Sequence, residues 1–192
     1  MLNKDFWISS AKHLKETKYL AIMGIFIALK VIAGFVSIPV AENLFVGISF
    51  LFSAIEASII GPVAALVSGF VTDIVSFMLD SKGYSFFPGY TLSEMLGIFI
   101  YALFFYRQRI TITKIFCAKF LVNYGVNALL GSLWSTIIMS KGYWFYFSQS
   151  VIKNTILLPF EVLALTLLFN LLIPVLSRKN LIFPQETPIK FK

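Results

Sequence analysis

Cysteine, histidine and charge are all scarce in this chain. Its 192 residues include one cysteine, Cys117, and one histidine, His13. A lone cysteine cannot close an intrachain disulfide, and no Cys/His group stands at metal-ligand spacing. There is no GxxxxGK[ST] phosphate loop and no HExxH helix. Any ATP-driven step must therefore occur on another polypeptide. Charged residues make up 13% of the chain, against about 25% in soluble domains. No histidine and no nucleophile–base pair falls within an apolar run, which argues against a small membrane enzyme acting on lipid. Residues 1–19 are too polar for a secretory signal, and no small-residue cleavage pattern follows them.

What is abundant is apolar surface. Hydrophobic residues reach 58%, 21 of them Phe, and the mean hydropathy is +0.86. That places the chain in a membrane. A span needs about 20 residues, so about six helices would consume most of the length. Gly, Pro and charge clusters mark off six runs: Leu20–Ile38, Leu44–Ile60, Val63–Leu79, Tyr90–Tyr106, Ile115–Met139 and Val151–Leu176. The expected fold is an all-α integral membrane protein of six transmembrane helices. Residues 1–19 and 179–192 would flank a membrane domain at 20–178. A β-barrel is excluded because the runs are continuous rather than ten-residue alternations.

The net charge of +7 reads as topology rather than nucleic-acid binding. Basic residues gather in the amino terminus (Lys4, Lys12, Lys15, Lys18), the loop after the fourth run (Arg107, Arg109, Lys114) and the tail (Arg178, Lys179, Lys190, Lys192). The opposite face has only Lys82 and Lys141. The positive-inside rule puts both termini in the cytoplasm. It puts the segment SFFPGYTLSE, residues 85–94, at the outer mouth, where Thr91 and Ser93 could cap the next helix.

Seven charges fall inside the runs: Lys30, Glu56, Asp73, Glu94, Lys119, Lys153 and Glu161. At mid-bilayer such a group costs about 2.5–3.5 kcal/mol even on the lenient insertion scale. Each must pair, line a polar cavity or lie near an interface. Lys119 lies where it could also snorkel, Asp73 reads as half of a structural polar pair, and Pro159 should kink the helix beside Glu161. The fifth run is the most polar. Lys119, Asn123, Asn127 and Trp134 share one face at helical period, a stripe suited to a heteroaromatic ring with amide-like edges and an anionic tail. In the first run, Ala21, Gly24 and Ala28 form a small-residue face that permits close helix approach, within this chain or to another subunit.

The ordered motifs ALKVI around Lys30, the GP before Asp73, FFPGYTLSEMLG, Asn127-x6-Trp134 and IKNTILLPFEV carry a resemblance over residues 20–178. The chain resembles the substrate-binding S components of energy-coupling-factor (ECF) vitamin transporters, most of all the folate-specific (FolT) type. That family usually has Arg where Lys30 stands, and the exchange removes a bidentate fork.

The resemblance implies a non-catalytic, high-affinity folate-binding subunit in a cell membrane, with no cofactor of its own. ATP would be used by partners, a transmembrane coupling (T) component and two cytoplasmic ATPases. The host would be a Gram-positive bacterium. Docking to the T component would use Ala21, Gly24 and Ala28. Phe50, Phe52, Phe87, Tyr90 and Trp134 would supply stacking planes, and Asn127, Lys119 and Glu56 polar contacts. Lys30 would be a charge partner for the folate tail or for Glu56. The rivals are an S component for thiamine, riboflavin or pantothenate, and a self-sufficient small transporter.

Overall fold

A computed structural model describes residues 4–41, 44–81, 85–139 and 141–191. Lys82 and Lys192, used in the charge balance, lie outside the described residues. Helix α1 (Lys4–His13) precedes α2 (Thr17–Phe35), and strands β1 (Ile38–Ala41) and β2 (Leu44–Val46) follow. The remaining helices are α3 (Ser49–Ile60), α4 (Pro62–Leu79), α5 (Pro88–Phe105), α6 (Ile112–Phe120), α7 (Gly131–Ile138) and α8 (Tyr143–Arg178). A π-helical stretch, Leu121–Leu130, fuses α6 to α7.

Among the described residues, five helices are long and apolar enough to cross a membrane: Thr17–Phe35, Pro62–Leu79, Pro88–Phe105, the fused Ile112–Ile138 and Tyr143–Arg178. The second expected run differs. Residues 44–46 pair with 38–41 in an antiparallel hairpin, Ile38 opposite Val46 and Pro39 opposite Phe45. Only 12 residues remain for α3, about 18 Å of helix against a hydrocarbon core of about 30 Å. A short apolar run cannot be assigned to helix or strand by periodicity alone, and here the hairpin takes part of it. The last helix begins earlier than expected, at Tyr143, and continues through Pro159 and Pro174 for 36 residues.

Two ends can be distinguished by what closes them. At the first, α1 lies against the turn between α3 and α4. Ser10 Oγ donates to Ile60 O at 2.9 Å and accepts from Val63 N at 2.9 Å and Ala64 N at 3.2 Å. A side chain from α1 thus caps α4, whose own N-cap position is Gly61. His13 Nδ1–H donates to Ile60 O at 3.0 Å, and its ring stacks on Tyr19 at 3.6 Å. Gly61 has φ +78°, and a Cβ there would lie 2.8 Å from both Ser10 and the Tyr106 ring. Only glycine fits that turn.

The tail closes the same end. Ile110 N donates to Gln185 Oε1 at 2.7 Å, Ile112 N to Lys190 O at 3.1 Å and Ile189 N to Asn170 Oδ1 at 2.8 Å. Ile182 and Ile189 are buried in the main core cluster with Phe105, Ile115, Phe169 and Ile173.

The opposite end holds the hairpin, the start of α5, the end of α7 and the start of α8. Lys153 Nζ donates to Phe45 O at 3.3 Å, and Trp134 Nε1 donates to Ser93 Oγ at 2.9 Å. Between the ends, α4 and α5 pack backbone to backbone, because a Cβ on Gly69 would come within 2.9 Å of Met95 Cα.

Candidate ligand cavity

At the hairpin end a cavity of about 330 Å³ opens among α3, α4, α5, the α6–π segment, α8 and β2. Its lining includes Phe45, Phe50, Asp73, Tyr90, Ser93, Glu94, Tyr101, Lys119, Asn127 and Glu161. A side chamber of about 150 Å³ shares Tyr90, Ser93, Val126 and Asn127 with it.

The buried charges divide into two groups. Lys30, 2% exposed, pairs with Glu56 Oε2 at 2.7 Å. Its Nζ donates to Ser68 Oγ at 3.1 Å, and Ser68 Oγ donates to Glu56 Oε1 at 2.5 Å. This closed clamp ties α2, α3 and α4 together, and neither Lys30 nor Glu56 is among the cavity's lining residues. Of the two partners expected for Lys30, Glu56 is the one it contacts.

The second group lines the cavity. Lys119 is also 2% exposed, so it does not snorkel to an interface. Its Nζ pairs with Glu161 Oε1 at 3.1 Å and stands 3.8 Å from the centre of the Phe50 ring, a cation–π contact. Asn123 Nδ2 donates to Glu161 Oε2 at 2.7 Å. Thr91 Oγ1 donates to Asp73 Oδ2 at 2.6 Å. Asp73 is therefore both a partner across helices and a lining residue.

The half-buried Glu94 and the exposed side chain of Asn127 line the cavity with no hydrogen bond or ion pair among the described residues, and the Tyr101 hydroxyl is fully buried without a partner. A buried polar group lacking a partner forfeits its solvation without compensation. Such groups beside a cavity suit a ligand that completes them.

The aromatic residues fall in layers. Phe50 and Tyr90 line the cavity. Phe87 and Trp134 are not among its lining residues. They brace those that are: Phe87 packs on Tyr90 at 5.9 Å and on Trp134 at 5.7 Å, and Trp134 holds Ser93. Phe52 is half-buried in α3, and it too is not among the lining residues.

The Pro-Gly pair sets this layering. Pro88 opens α5, where its missing N–H costs nothing. A Cβ on Gly89 would lie 2.7 Å from Trp134 Cδ2 and 2.3 Å from the Phe87 ring, so the absent side chain is what seats both aromatics. Thr91 and Ser93 do not cap the helix as expected. The N-cap residue, Phe87, makes no side-chain cap, and the two hydroxyls are occupied by Asp73 and Trp134.

The stripe of the fifth run is also re-aimed. Residues 121–130 form π-helix, whose i→i+5 bonding breaks the 3.6 period. Lys119 and Asn127 still reach one cavity, Asn123 goes to Glu161, and Trp134 turns to the α5 start. Asp73, Glu94 and Glu161 could be marked in the sequence as charges inside apolar runs but not as lining residues. Tyr101 and Ser93 gave no such signal.

Ala21, Gly24 and Ala28 are all exposed on α2, and a Cβ on Gly24 would meet nothing within 4 Å. The small-residue face therefore points away from the described remainder of the chain.

Comparison with known proteins agrees with this arrangement. A folate transporter, FolT, of Clostridium novyi (strain NT) is 26% identical over 155 residues, 79% of this chain and 88% of the relative. A solved structure described as FolT bound with folic acid superposes with a TM-score of 0.72 at 30% identity, covering 78% of this chain and 91% of the other. The family described as "ECF transporter, substrate-specific component" matches residues 18–182. A match across that much of the sequence means that the chain belongs to the substrate-specific components of ECF transporters.

Proposed function

We propose that this chain is the folate-capturing subunit of an ATP-driven importer. The observation that carries the reading is the cavity itself. It holds an unpaired carboxylate, Glu94, and an unpaired carboxamide, Asn127, in the same wall as the Phe50 and Tyr90 rings. A pterin is flat and presents adjacent N–H donors. A carboxylate accepts such donors with charge-assisted strength, and ring faces take its planes. The likeness to a folate transporter and to a folic-acid-bound structure supports the same ligand.

In this reading Lys30 and Glu56 set the spacing of α2, α3 and α4. Lys119, Asn127 and Tyr90 contact ligand directly, while Phe87 and Trp134 hold the contacting residues in place. The chain performs no chemistry of its own and needs no cofactor. Its termini end faces the cytoplasm, in keeping with the lysines and arginines there, and its hairpin end faces outward. A coupling T component and two ATPases supply the work. The exposed Ala21–Gly24–Ala28 face of α2 is the surface offered to the T component, where small side chains permit close helix approach in lipid.

Equilibrium binding of folic acid to the purified chain tests the reading, with thiamine, riboflavin and pantothenate as competitors. Saturable sub-micromolar binding that only folates displace is expected. Absence of such binding, or displacement by another vitamin, overturns it.

A further inference from the structure

Helix α1 has a second face that its capping role does not use. Its inner face, Phe6, Ser10 and His13, is buried, and from there Ser10 caps α4. At helical period Trp7, Ile8 and Ala11 fall together on another flank. Ile8 is 51% exposed, Ala11 is exposed and Trp7 is half-buried. The Trp7 ring lies 6.1 Å from that of Phe99, which is itself half-buried on α5. Phe99 stands six residues before the end of α5 at Phe105, about 9 Å along the axis. Trp7 therefore reaches back alongside a helix that is long and apolar enough to cross the membrane.

Cations surround this flank. Residues 4–18 hold Lys4, Lys12, Lys15 and Lys18 against the acids Asp5 and Glu16. Lys12, Lys15 and Lys18 are all exposed, and Arg107 lines the same small cavity as His13 and Tyr19. Another membrane-crossing helix, α2, starts at Thr17, so these lysines stand where the chain enters the bilayer. The family match begins at residue 18. Helix α1 thus lies outside the matched region, and ligand capture gives no account of its outer flank.

An amphipathic helix with an aromatic apolar flank and lysines beside it lies in the membrane interface, its apolar side about 5–10 Å into the headgroup boundary. The reach of Trp7 along α5 agrees with that depth. Basic segments at such a level are drawn to anionic lipid.

We propose that α1 is an interfacial anchor. Its Trp7–Ile8–Ala11 flank enters the headgroup layer at the termini end, and Lys12, Lys15 and Lys18 bind anionic phospholipid headgroups there. Because the same helix carries Ser10, lipid bound to the native anchor also stabilises the capped α3–α4 turn. The inference needs the chain to span a membrane and does not depend on the folate reading.

The test places the full chain in nanodiscs of phosphatidylcholine, alone or mixed with phosphatidylglycerol. Emission from Trp7, taken as the difference between wild type and Trp7→Phe, should be quenched more by lipids brominated near the headgroup than by lipids brominated at the chain end. The wild type should melt higher in the phosphatidylglycerol discs, and added salt should narrow that gap. The variant Lys12→Gln/Lys15→Gln/Lys18→Gln should lose at least half of the gap while melting like wild type in phosphatidylcholine. If it melts low there, Lys15→Gln/Lys18→Gln, which leaves α1 itself unaltered, should still narrow the gap. Unquenched Trp7 would leave the flank to water or to a protein partner and overturn the anchor. Equal melting in the two lipids, or a gap that both lysine variants keep in full, would overturn the headgroup site.

Discussion

The two ends of this bundle solve the same problem in opposite ways. At the termini end the chain closes off most of its polar groups, the buried Ser177 hydroxyl being an exception. Ser10 serves as acceptor for two amides of α4 and donor to Ile60 O, His13 takes the same carbonyl, and Gln185 and Asn170 satisfy backbone amides of the α5–α6 loop and the tail. At the hairpin end Glu94, Asn127, Tyr101, Ser132 and Tyr146 leave side-chain capacity open around two connected chambers. Buried polar atoms without partners destabilise a fold, and three of them, the hydroxyls of Tyr101, Ser132 and Tyr146, lie beside these chambers. The sealed end and the Lys30–Glu56–Ser68 clamp supply the rigidity that lets the open end keep its shape.

The sharpest break of that contrast is at the clamp. Lys30→Met leaves Glu56 buried and unpaired, and removal of one partner of a buried ion pair costs about 3–5 kcal/mol. A collapse of the thermal midpoint in detergent is expected. The paired replacement Lys30→Met/Glu56→Leu should recover most of the loss, because no charge is then stranded. If the single variant melts like wild type, the clamp is not what fixes α2, α3 and α4.

Two glycines sharpen the comparison at smaller cost. Gly61→Ala at the sealed end forces a side chain into φ +78° and against Ser10 and Tyr106, worth about 1–3 kcal/mol of stability, while ligand affinity holds. Gly89→Ala at the open end pushes on Trp134 and Phe87. It should weaken folic acid binding at least fivefold with a smaller change in melting. Titrations and melts of both proteins would show whether the two ends separate in this way. A reversed pattern would mean that the aromatic pair behind Tyr90 supports the fold and not the site.

The sequence carried the location of these features better than their geometry. Apolar runs, positive-inside asymmetry and the list of intramembrane charges follow from composition along the chain, which any span must obey. Partners do not. That Lys30 meets Glu56 and Lys119 meets Glu161 depends on which helices are neighbours. The π segment defeated the stripe of the fifth run, because a 3.6 period cannot place Trp134 once ten residues wind more loosely. The hairpin at 38–46 was hidden in two apolar runs whose pattern suits strand as well as helix. Residues 179–192 are expected only to flank the membrane domain, yet Ile182 and Ile189 are buried in the core. Isolated apolar residues between prolines and charges give no periodicity to read.

Asn127→Ala separates binding from folding more finely. Its side chain makes no hydrogen bond among the described residues, so stability should stay within about 0.5 kcal/mol of wild type. Folic acid affinity should fall about tenfold, or about 1.4 kcal/mol. Asn123→Ala, four residues earlier, should do the reverse, because it strips Glu161 of a donor. Isothermal titration beside thermal melts checks both, and equal behaviour of the two asparagines would erase the distinction between a wall residue and a ligand contact.

The smallest effect belongs to the sealed end. Burial lowers the His13 pKa below its ordinary 6.5, with the bond to Ile60 O opposing the shift. The native state therefore favours the neutral ring, and the unfolded chain takes up the proton first as pH falls. The stability from His13 is complete above about pH 6.5. It declines as acid titrates the unfolded form and is lost once pH has passed the lower native value. Melts from pH 7.5 to 5 should show this slope in the wild type and a shallower one in His13→Gln, which keeps a donor for Ile60 O but cannot titrate. Ligand affinity should stay level across the range in both proteins if the sealed end only supports the fold. A shared affinity change that vanishes in His13→Gln would show that the α1 cap communicates with the cavity, and the two ends would no longer be independent.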